Sequence, residues 1–213
     1  MLKKLTILIL LLLSCAQPAL AKKFREPKNK FGMAKTTLAN AVFAIDSENI
    51  TYTAPQALSG NILYYERIFF SSFSLGFQYG NSLERTVQAS STSSSVTVAE
   101  KASYSAYDFK AYMGNHQLGG AKFYAVASQG TLAVSSNIKT RSTSGVITEE
   151  TAEASVPLSF IGLGLDIFKT YTNVGFRLEA GQVEGQTSEI SSSRQADYIY
   201  TGLYYNMGIF LLF

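Results

Sequence analysis

Five charged side chains occupy positions where apolar residues alternate with small or polar ones. Asp108 and Lys110, for example, alternate with Tyr107 and Phe109. The five residues are Asp108, Lys110, Asp166, Arg177 and Glu179. Buried charges persist only when they are paired, and three acids with two bases nearly balance. We therefore interpret the set as an interior polar network whose members neutralise one another. A narrow polar path or a small-ligand site is the alternative.

Catalytic and metal-binding interpretations have less support. The only histidine, His116, lies in GNHQLGG, where the glycines predict a turn. A Ser–His–acid site instead needs a histidine held between a serine and an acid. Cys15 is the only cysteine, and no acidic cluster has the spacing of a calcium loop. The stretch EETAE at residues 149–153 is interpreted as a polar loop crest, with ion binding as the alternative. We predict no catalytic residue, no metal site and no cofactor.

The elements that must position these charges are strands with one apolar face. In FSLGFQYGNSLERTV, apolar side chains recur at alternate positions, which is typical of a strand. These side chains are Phe73, Leu75, Phe77, Tyr79, Leu83 and Val87. Segments of this kind predict eight strands, at residues 37–45, 61–70, 73–87, 104–113, 123–134, 159–168, 174–180 and 198–213. The alanines of the first segment also suit a short helix.

The apolar faces of these strands are predicted to meet lipid, and the polar faces to line an interior. Lys or Arg facing lipid at mid-membrane costs about 2–4 kcal/mol, which places the five charges inside. In residues 123–134, the apolar face consists of Tyr124, Val126, Leu132 and Val134. Glu66 and Arg67 are adjacent and therefore face opposite ways, and either one fits the interior. Glycines recur on the polar faces, which suits the crowded interior of a barrel of eight strands.

The connections between the predicted strands alternate in length. Three short ones lie at residues 71–72, 114–121 and 169–172. Three longer, Ser/Thr-rich ones lie at 88–97, 135–154 and 188–196, with a further long one at 46–58. Outer-membrane barrels have tight turns at one end and long polar loops at the other. The sequence therefore predicts an all-β protein, an eight-stranded antiparallel up-and-down transmembrane β-barrel at residues 37–213. A secreted β-sandwich is the alternative.

The N-terminus resembles a secretory signal. Lys3 and Lys4 precede an apolar run at residues 5–13, and Ala19-Leu20-Ala21 has the small-x-small pattern of a cleavage site. We predict a removed signal peptide at residues 1–21 and a basic periplasmic tail at residues 22–36. The alternative is a lipoprotein signal ending at Cys15.

Composition narrows the function classes. Removal of residues 1–21 would lower the formal charge from +3 to +1 and leave no cysteine. A nearly neutral chain is no electrostatic binder of nucleic acid. Charged residues make up only 15% of the chain, against about 25% in ordinary globular domains. That deficit fits strands that each show one face to lipid.

The C-terminal segment LYYNMGIFLLF carries a resemblance to a known class. A terminal aromatic follows apolar residues at alternate positions, namely Tyr205, Met207, Ile209, Leu211 and Phe213. This pattern resembles the assembly signal of Gram-negative outer-membrane barrels. The chain resembles the small eight-stranded families, such as the generic outer-membrane β-barrel domain and the OmpW and OmpX types. The resemblance implies recognition by the barrel-assembly machinery, and no motif selects one member.

These patterns lead to a functional expectation. We expect an integral protein of the Gram-negative outer membrane, in contact with lipid and lipopolysaccharide, monomeric, and exported by its cleaved signal. Its role would be structural or one of surface interaction, with the interior plugged by side chains. The alternative is a narrow channel or carrier for small apolar molecules. A lipid-modifying enzyme is the least favoured class.

Overall fold

The computed structural model describes residues 29–47, 50–53, 56–69, 72–90, 94–113, 120–168, 173–191 and 194–213. The predicted signal peptide, Cys15 and His116 lie outside the described residues. None of the described segments forms a helix long and apolar enough to cross a membrane.

The described residues form eleven strands. They are β1 Asn29–Ser47, β2 Ile50–Thr53, β3 Gln56–Phe69, β4 Phe73–Ser90, β5 Ser94–Tyr112, β6 Gly120–Ser142, β7 Ile147–Phe168, β8 Val174–Glu184, β9 Gln186–Ser191, β10 Arg194–Tyr200 and β11 Gly202–Leu212.

Eight of these strands close into a ring. β1 and β3 to β8 pair antiparallel in chain order, and β11 joins β8 to β1. At the seam, the Asn29 and Phe213 backbones exchange two hydrogen bonds of 2.8 and 3.0 Å. The predicted eight-stranded antiparallel up-and-down barrel is confirmed.

The register shows that the barrel is narrow. A path of paired residues runs around the ring, starting at Lys30 of β1 and passing through β3 to β8. This path reaches β11 at Gly202, whereas Lys30 pairs directly with Leu212 of β11 across the seam. The stagger around the ring is therefore ten residues. Eight strands with this stagger leave an interior just wide enough for side chains.

The outer surface divides into an apolar belt and a polar band. We call the end of the barrel at Asn29 and Phe213 the terminal end, and the end at the β6–β7 hairpin the distal end. On β7, the outward side chains at 161, 163, 165 and 167 are apolar, whereas Ser155 and Glu153 nearer the distal end are exposed and polar. Large exposed apolar side chains occur near the terminal end of the other ring strands as well. This apolar belt is the surface that lipid would cover.

The polar segments predicted as long loops mostly continue the strands. β6 and β7 stay paired to Arg141 and Ile147, so most of residues 135–154, predicted as a loop, forms a hairpin. Inward apolar side chains such as Ile138 and Ala152 alternate with outward polar ones. This alternation keeps the strands amphipathic beyond the belt, because their outward face meets water there rather than lipid.

Towards the distal end the described strands form two paired groups that face each other across the interior, and β7 and β9 lie side by side there without a ladder between them. β4 to β7 continue as one sheet, and β9, β10, β1 and β2 form the other. Buried apolar side chains fill the space between these sheets, including Leu58, Val98, Val134, Val156, Leu158 and Tyr198.

Two predicted faces are corrected by the structure. Leu83 and Val87 point inward rather than to lipid, because the register shifts between Gly80 and Leu83 and reverses the alternation beyond that point. On β6, the apolar face at 124, 126, 132 and 134 is also interior. Its outward face carries Phe123 near the terminal end, followed by alanines and polar residues, and much of this strand lies beyond the belt.

The first strand and the tail also differ from prediction. β1 begins at Asn29, so residues 29–36 of the predicted tail at 22–36 belong to the barrel. Lys30 is buried, whereas its neighbour Phe31 is exposed on the outer surface. The basic composition of this segment concealed a strand whose inward lysine is paired inside the barrel.

Candidate functional site

The structure places all five predicted network residues inside the barrel. Each of these side chains is at most 4% exposed. Arg177 Nε and Nη2 donate to the two carboxylate oxygens of Asp166 at 2.8 and 2.9 Å. Lys110 Nζ lies 3.6 Å from Asp108 Oδ2 and 3.4 Å from Glu179 Oε2. The predicted residues thus form two neighbouring groups within one interior.

Glu66 links these two groups. Its side chain is buried while that of Arg67 is exposed, which assigns the inward member of that pair. Arg177 Nη2 donates to Glu66 Oε2 at 2.8 Å, and Lys110 Nζ lies 3.4 Å from the same oxygen. Glu66 pairs directly with Lys30 of β1. Because paired residues point to the same face of a sheet, Glu66 faces the interior as the buried Lys30 does.

Lys30 is a further member of the network that the sequence pattern did not reveal. It forms ion pairs with Asp166 and, at 3.4 Å, with Glu66. The alternation of Lys30, Gly32 and Ala34 with apolar Phe31 and Met33 is the signal that identifies it. The surrounding basic residues of the segment obscured that signal.

Tyrosine hydroxyls complete the network. Tyr112 donates to Glu66 and accepts a 2.8 Å hydrogen bond from Lys30 Nζ. Tyr124 donates to Glu179 Oε2 at 3.0 Å. Asn206 Nδ2 donates to the other oxygen of Glu179 at 3.0 Å. These contacts satisfy carboxylate lone pairs that a buried ion pair alone leaves unused, which is what makes burial of the charges tolerable.

Interior glycines provide the space for these aromatic rings. Gly164 pairs across the sheet with Tyr124, and a Cβ built on Gly164 would overlap that ring and its hydroxyl. A Cβ on Gly32 would likewise overlap Tyr64. Gly32 and Gly164 therefore fit the interior because aromatic rings lie directly against them.

Gly164→Leu is expected to destabilise the barrel by about 1–3 kcal/mol, because overpacking would displace Tyr124 from its position beside Glu179. The matched control is Ala180→Leu, which adds a comparable side chain to the exposed outer surface of the neighbouring strand. Urea titration followed by circular dichroism, in the same detergent, measures both. Equal midpoints for the two variants would contradict the packing of Tyr124 against Gly164.

A second buried ion pair lies towards the distal end. Arg85 Nη2 donates to Glu100 Oε1 at 2.9 Å, and its Nε contacts the other oxygen. The guanidinium lies 5.8 Å from the Tyr200 ring centroid, across the space between the two sheets. The sequence did not predict this pair because the register shift in β4 turns Arg85 inward, against the alternation of the preceding part of that strand.

The remaining predicted positions lie on the outer surface or outside the described residues. The alternating residues Tyr205, Met207, Ile209, Leu211 and Phe213 are all exposed on the apolar belt. Glu149 of the EETAE stretch is exposed, and its carboxylate lies 2.7 Å from Lys139 Nζ. Across the segments that the structure describes, no group of three or more His, Cys, Asp and Glu side chains could hold a metal ion.

Comparison with known proteins identifies the fold. No protein-family model matches the sequence, and no curated protein matches it. The outer membrane protein OprG from Pseudomonas aeruginosa matches the structure with a TM-score of 0.56 and 8% identity, over 88% of this chain and 95% of that one. Two further barrels align less well. Ail from Yersinia pestis has a TM-score of 0.48 at 10% identity over 89% of this chain and 100% of that one. The N-terminal barrel domain of P. aeruginosa OprF has a TM-score of 0.42 at 12% identity, over 90% of this chain and 100% of that one.

The closed ring, the apolar belt and the likeness to OprG define the class of the fold. The chain has the architecture of the small eight-stranded barrels found in outer membranes. At this level of identity the likeness concerns the fold alone.

Proposed function

We propose that the chain is an integral protein of a Gram-negative outer membrane, closed to solutes, with a structural or surface-interaction role. The observation that carries this proposal is the interior network. Three buried cations and four buried anions occupy the narrow lumen beside the apolar belt. Side chains held in place by several ion pairs leave no continuous polar path for solutes.

The two ends support an orientation for this role. An even number of strands places both ends of the barrel domain on one side, which is the periplasmic side in bacterial barrels. The distal hairpin of β6 and β7 would then project outside the cell. Its tip exposes Val146 and Ile147 beside Ser/Thr-rich strand ends, a surface suited to contact with lipopolysaccharide or another cell-surface partner. The proposed role is non-enzymatic, and the proposed oligomeric state is a monomer.

Conductance across a planar bilayer tests the closed state. Inserted wild-type protein is expected to give no discrete current steps, and Glu149→Gln, a distal surface change, should be equally silent. A heat-dependent gel shift of the recovered protein establishes that it inserted as a folded barrel. Discrete, reproducible conductance steps from folded wild-type protein would overturn the proposal.

A carrier for small apolar molecules is the second candidate function. It is favoured by the distal interior, where a cluster of buried apolar side chains would have to rearrange to admit a small apolar molecule. Uptake of a small apolar probe by cells with and without the protein separates the candidates. Uptake that depends on the protein, in the absence of ion conductance, would favour the carrier.

Deletion of Phe213 is expected to lower the amount of assembled protein in the outer membrane more than it lowers folding in detergent. Phe213 is exposed on the outer surface and closes the seam through its backbone, and an exposed strand edge is suited to recognition by strand addition. The proposed partner is the barrel-assembly machinery. Quantitative blots of membrane fractions, with Phe213→Tyr as the aromatic control, measure assembly. Equal membrane levels for the deletion and the wild type would contradict this role.

A further inference from the structure

A small cavity lies between the charged network and the apolar distal interior. It is lined by Thr36, Leu38, Gln78, Leu83, Tyr104, Ser128, Phe160, Glu179, Tyr204 and Asn206. Phe160 stands edge-on to both Tyr104 and Tyr204, with centroid separations of 5.6 and 5.0 Å. These rings form an apolar wall, and oxygen-bearing side chains form much of the remainder.

Unsatisfied polar atoms gather at this cavity. Six buried side-chain polar atoms have no hydrogen-bond partner among the described residues, and three of them belong to the lining: Ser128 Oγ, Tyr204 Oη and Asn206 Oδ1. Each of these side chains is at least nine-tenths buried. A fourth, Asp108 Oδ1, belongs to the direct cross-strand partner of Ser128. Ser128 lies opposite Asp108 and Tyr204 lies near Glu179, so the two hydroxyl protons have carboxylate acceptors close by. The lone pairs of both hydroxyl oxygens and the Asn206 amide oxygen remain available to an occupant of the cavity.

The charges beside the cavity do not balance. The buried network contains Lys30, Lys110 and Arg177 against Glu66, Asp108, Asp166 and Glu179. Glu66 and Asp166 each contact Lys30 and Arg177. By contrast, Asp108 and Glu179 both form their ion pairs with Lys110. The excess negative charge therefore lies on the side of the network that faces the cavity.

One further lysine does not change this balance. Lys122 is the β6–β7 register partner of Asp166, away from Asp108 and Glu179, and its side chain is only partly buried. A partly exposed ammonium group keeps its hydration and is screened from the interior.

The cavity has room for one water molecule or one small ion. The volume open to the centre of a water-sized occupant is about 10 Å³, which is enough for a single water molecule or ion. An alkali cation is coordinated by oxygen atoms alone, and hydroxyl, amide and carboxylate oxygens are the hard ligands that such ions prefer.

We propose that this cavity binds one monovalent alkali cation, held by Ser128 Oγ, Tyr204 Oη and Asn206 Oδ1 beside the carboxylate of Glu179. The cation satisfies the three orphaned oxygens together and neutralises the surplus charge of the network. A bound water would satisfy the oxygens through hydrogen bonds but would bring no charge, so the surplus would then have to be neutralised by a proton on one of the carboxyl groups. Because this set includes a single carboxylate, it suits an ion of charge +1 rather than a divalent metal. The proposal concerns the interior and holds for either candidate function of the barrel.

Unfolding in different chloride salts at constant ionic strength tests the site. Folded protein in zwitterionic detergent is titrated with urea in lithium, sodium, potassium, rubidium or N-methylglucamine chloride, the last cation being too large for the cavity. We expect a saturable rise in the unfolding midpoint with potassium and with rubidium, whose ions are close to a water molecule in size, and no rise with N-methylglucamine. Identical midpoints in all five salts would overturn the proposal.

Two conservative variants locate the effect. Tyr204→Phe and Ser128→Ala each remove one oxygen while retaining most of the packing, and each is expected to weaken the cation dependence at least several-fold. Tyr198→Phe is the control, because it removes a buried tyrosine hydroxyl that bonds to Ser136 in the distal interior. Cation dependence unchanged in both cavity variants would contradict the assignment.

Anomalous diffraction from crystals soaked in rubidium or thallium salts supplies an independent measurement on the wild type, even where a variant fails to fold. An anomalous peak within the ring of Ser128, Tyr204 and Asn206 is the expected result. Density for an ordered water at that position, without an anomalous signal, would overturn the cation and assign a structural water instead.

Discussion

Arg177→Met is expected to lower the free energy of unfolding by about 3–5 kcal/mol, the largest effect that we expect from any single substitution in this barrel. Removing one partner of a buried ion pair leaves the other charge uncompensated in a medium that solvates it poorly. Arg177 contacts both Asp166 and Glu66. Its loss therefore weakens two carboxylate interactions at once, and the remaining lysines cannot reproduce the bidentate contact.

Urea titration followed by circular dichroism measures this effect, since the sequence contains no tryptophan for fluorescence. Arg67→Met is the matched control, because that arginine is exposed on the outer surface of β3 and its loss should change stability by no more than about 0.5 kcal/mol. The double variant Arg177→Met with Asp166→Leu should recover part of the loss, since it removes an oppositely charged pair together. Equal stability of Arg177→Met and wild type would refute the network as a buried, interdependent unit.

Leu163→Arg is expected to destabilise the lipid-inserted barrel by about 2–4 kcal/mol. Leu163 is 66% exposed on the outer face of β7, within the apolar belt, where a charged side chain would have to enter the hydrocarbon. The same substitution on the polar band should cost far less. Ser155→Arg lies on the same face of the same strand, towards the distal end, and provides that control.

Reversible folding into lipid vesicles, monitored at increasing urea, compares the two arginine variants. We expect Ser155→Arg to fall within about 0.5 kcal/mol of the wild type and Leu163→Arg to fall well below it. A similar loss for both would mean that the boundary between belt and band is misplaced. No loss for either would mean that this outer surface does not meet lipid.

Strand alternation predicted most of the fold because the physics is local. A residue in a strand faces opposite to its neighbours, so Asp166 and Arg177 could be placed inside from the apolar residues on either side of them. Closure of the ring followed from an even strand count and the terminal aromatic strand. These inferences needed no knowledge of which strands pair beyond sequence order.

The wrongly predicted strand faces lie where the alternation no longer shows which side chains point outward. The register shift in β4 reverses the faces of Leu83, Arg85 and Val87, and single-sequence patterns do not mark a bulge.

On β6, the face predicted to meet lipid points inward. Leu132 and Val134 lie beyond the belt, where the outward face is polar. Tyr124 and Val126 instead lie at the level of the belt, where alanines occupy the outward face beside them. Apolar and polar residues alternate in the same way whether a strand segment is surrounded by lipid or by water, so the pattern does not show which face is the outer one.

The composition of the site depended on long-range pairing. Lys30 lies 136 residues from Asp166 along the chain, and Glu66 lies 111 residues from Arg177. The alternation along each strand can place a side chain inside the barrel. Only the pairing of the strands around the closed ring shows that these side chains lie at the same height along the barrel. The cavity beside Asn206 was equally beyond prediction, because it depends on how three aromatic rings pack across the lumen.

Refolding from urea with and without lipid tests the central claim, a chain that closes into a membrane-spanning barrel around a charged interior. We expect strand-rich circular dichroism and a heat-dependent gel shift in detergent or vesicles, and neither in plain buffer, where the apolar belt would be exposed to water. A strand-rich, monomeric state formed in buffer alone, without any heat-dependent shift, would contradict that claim.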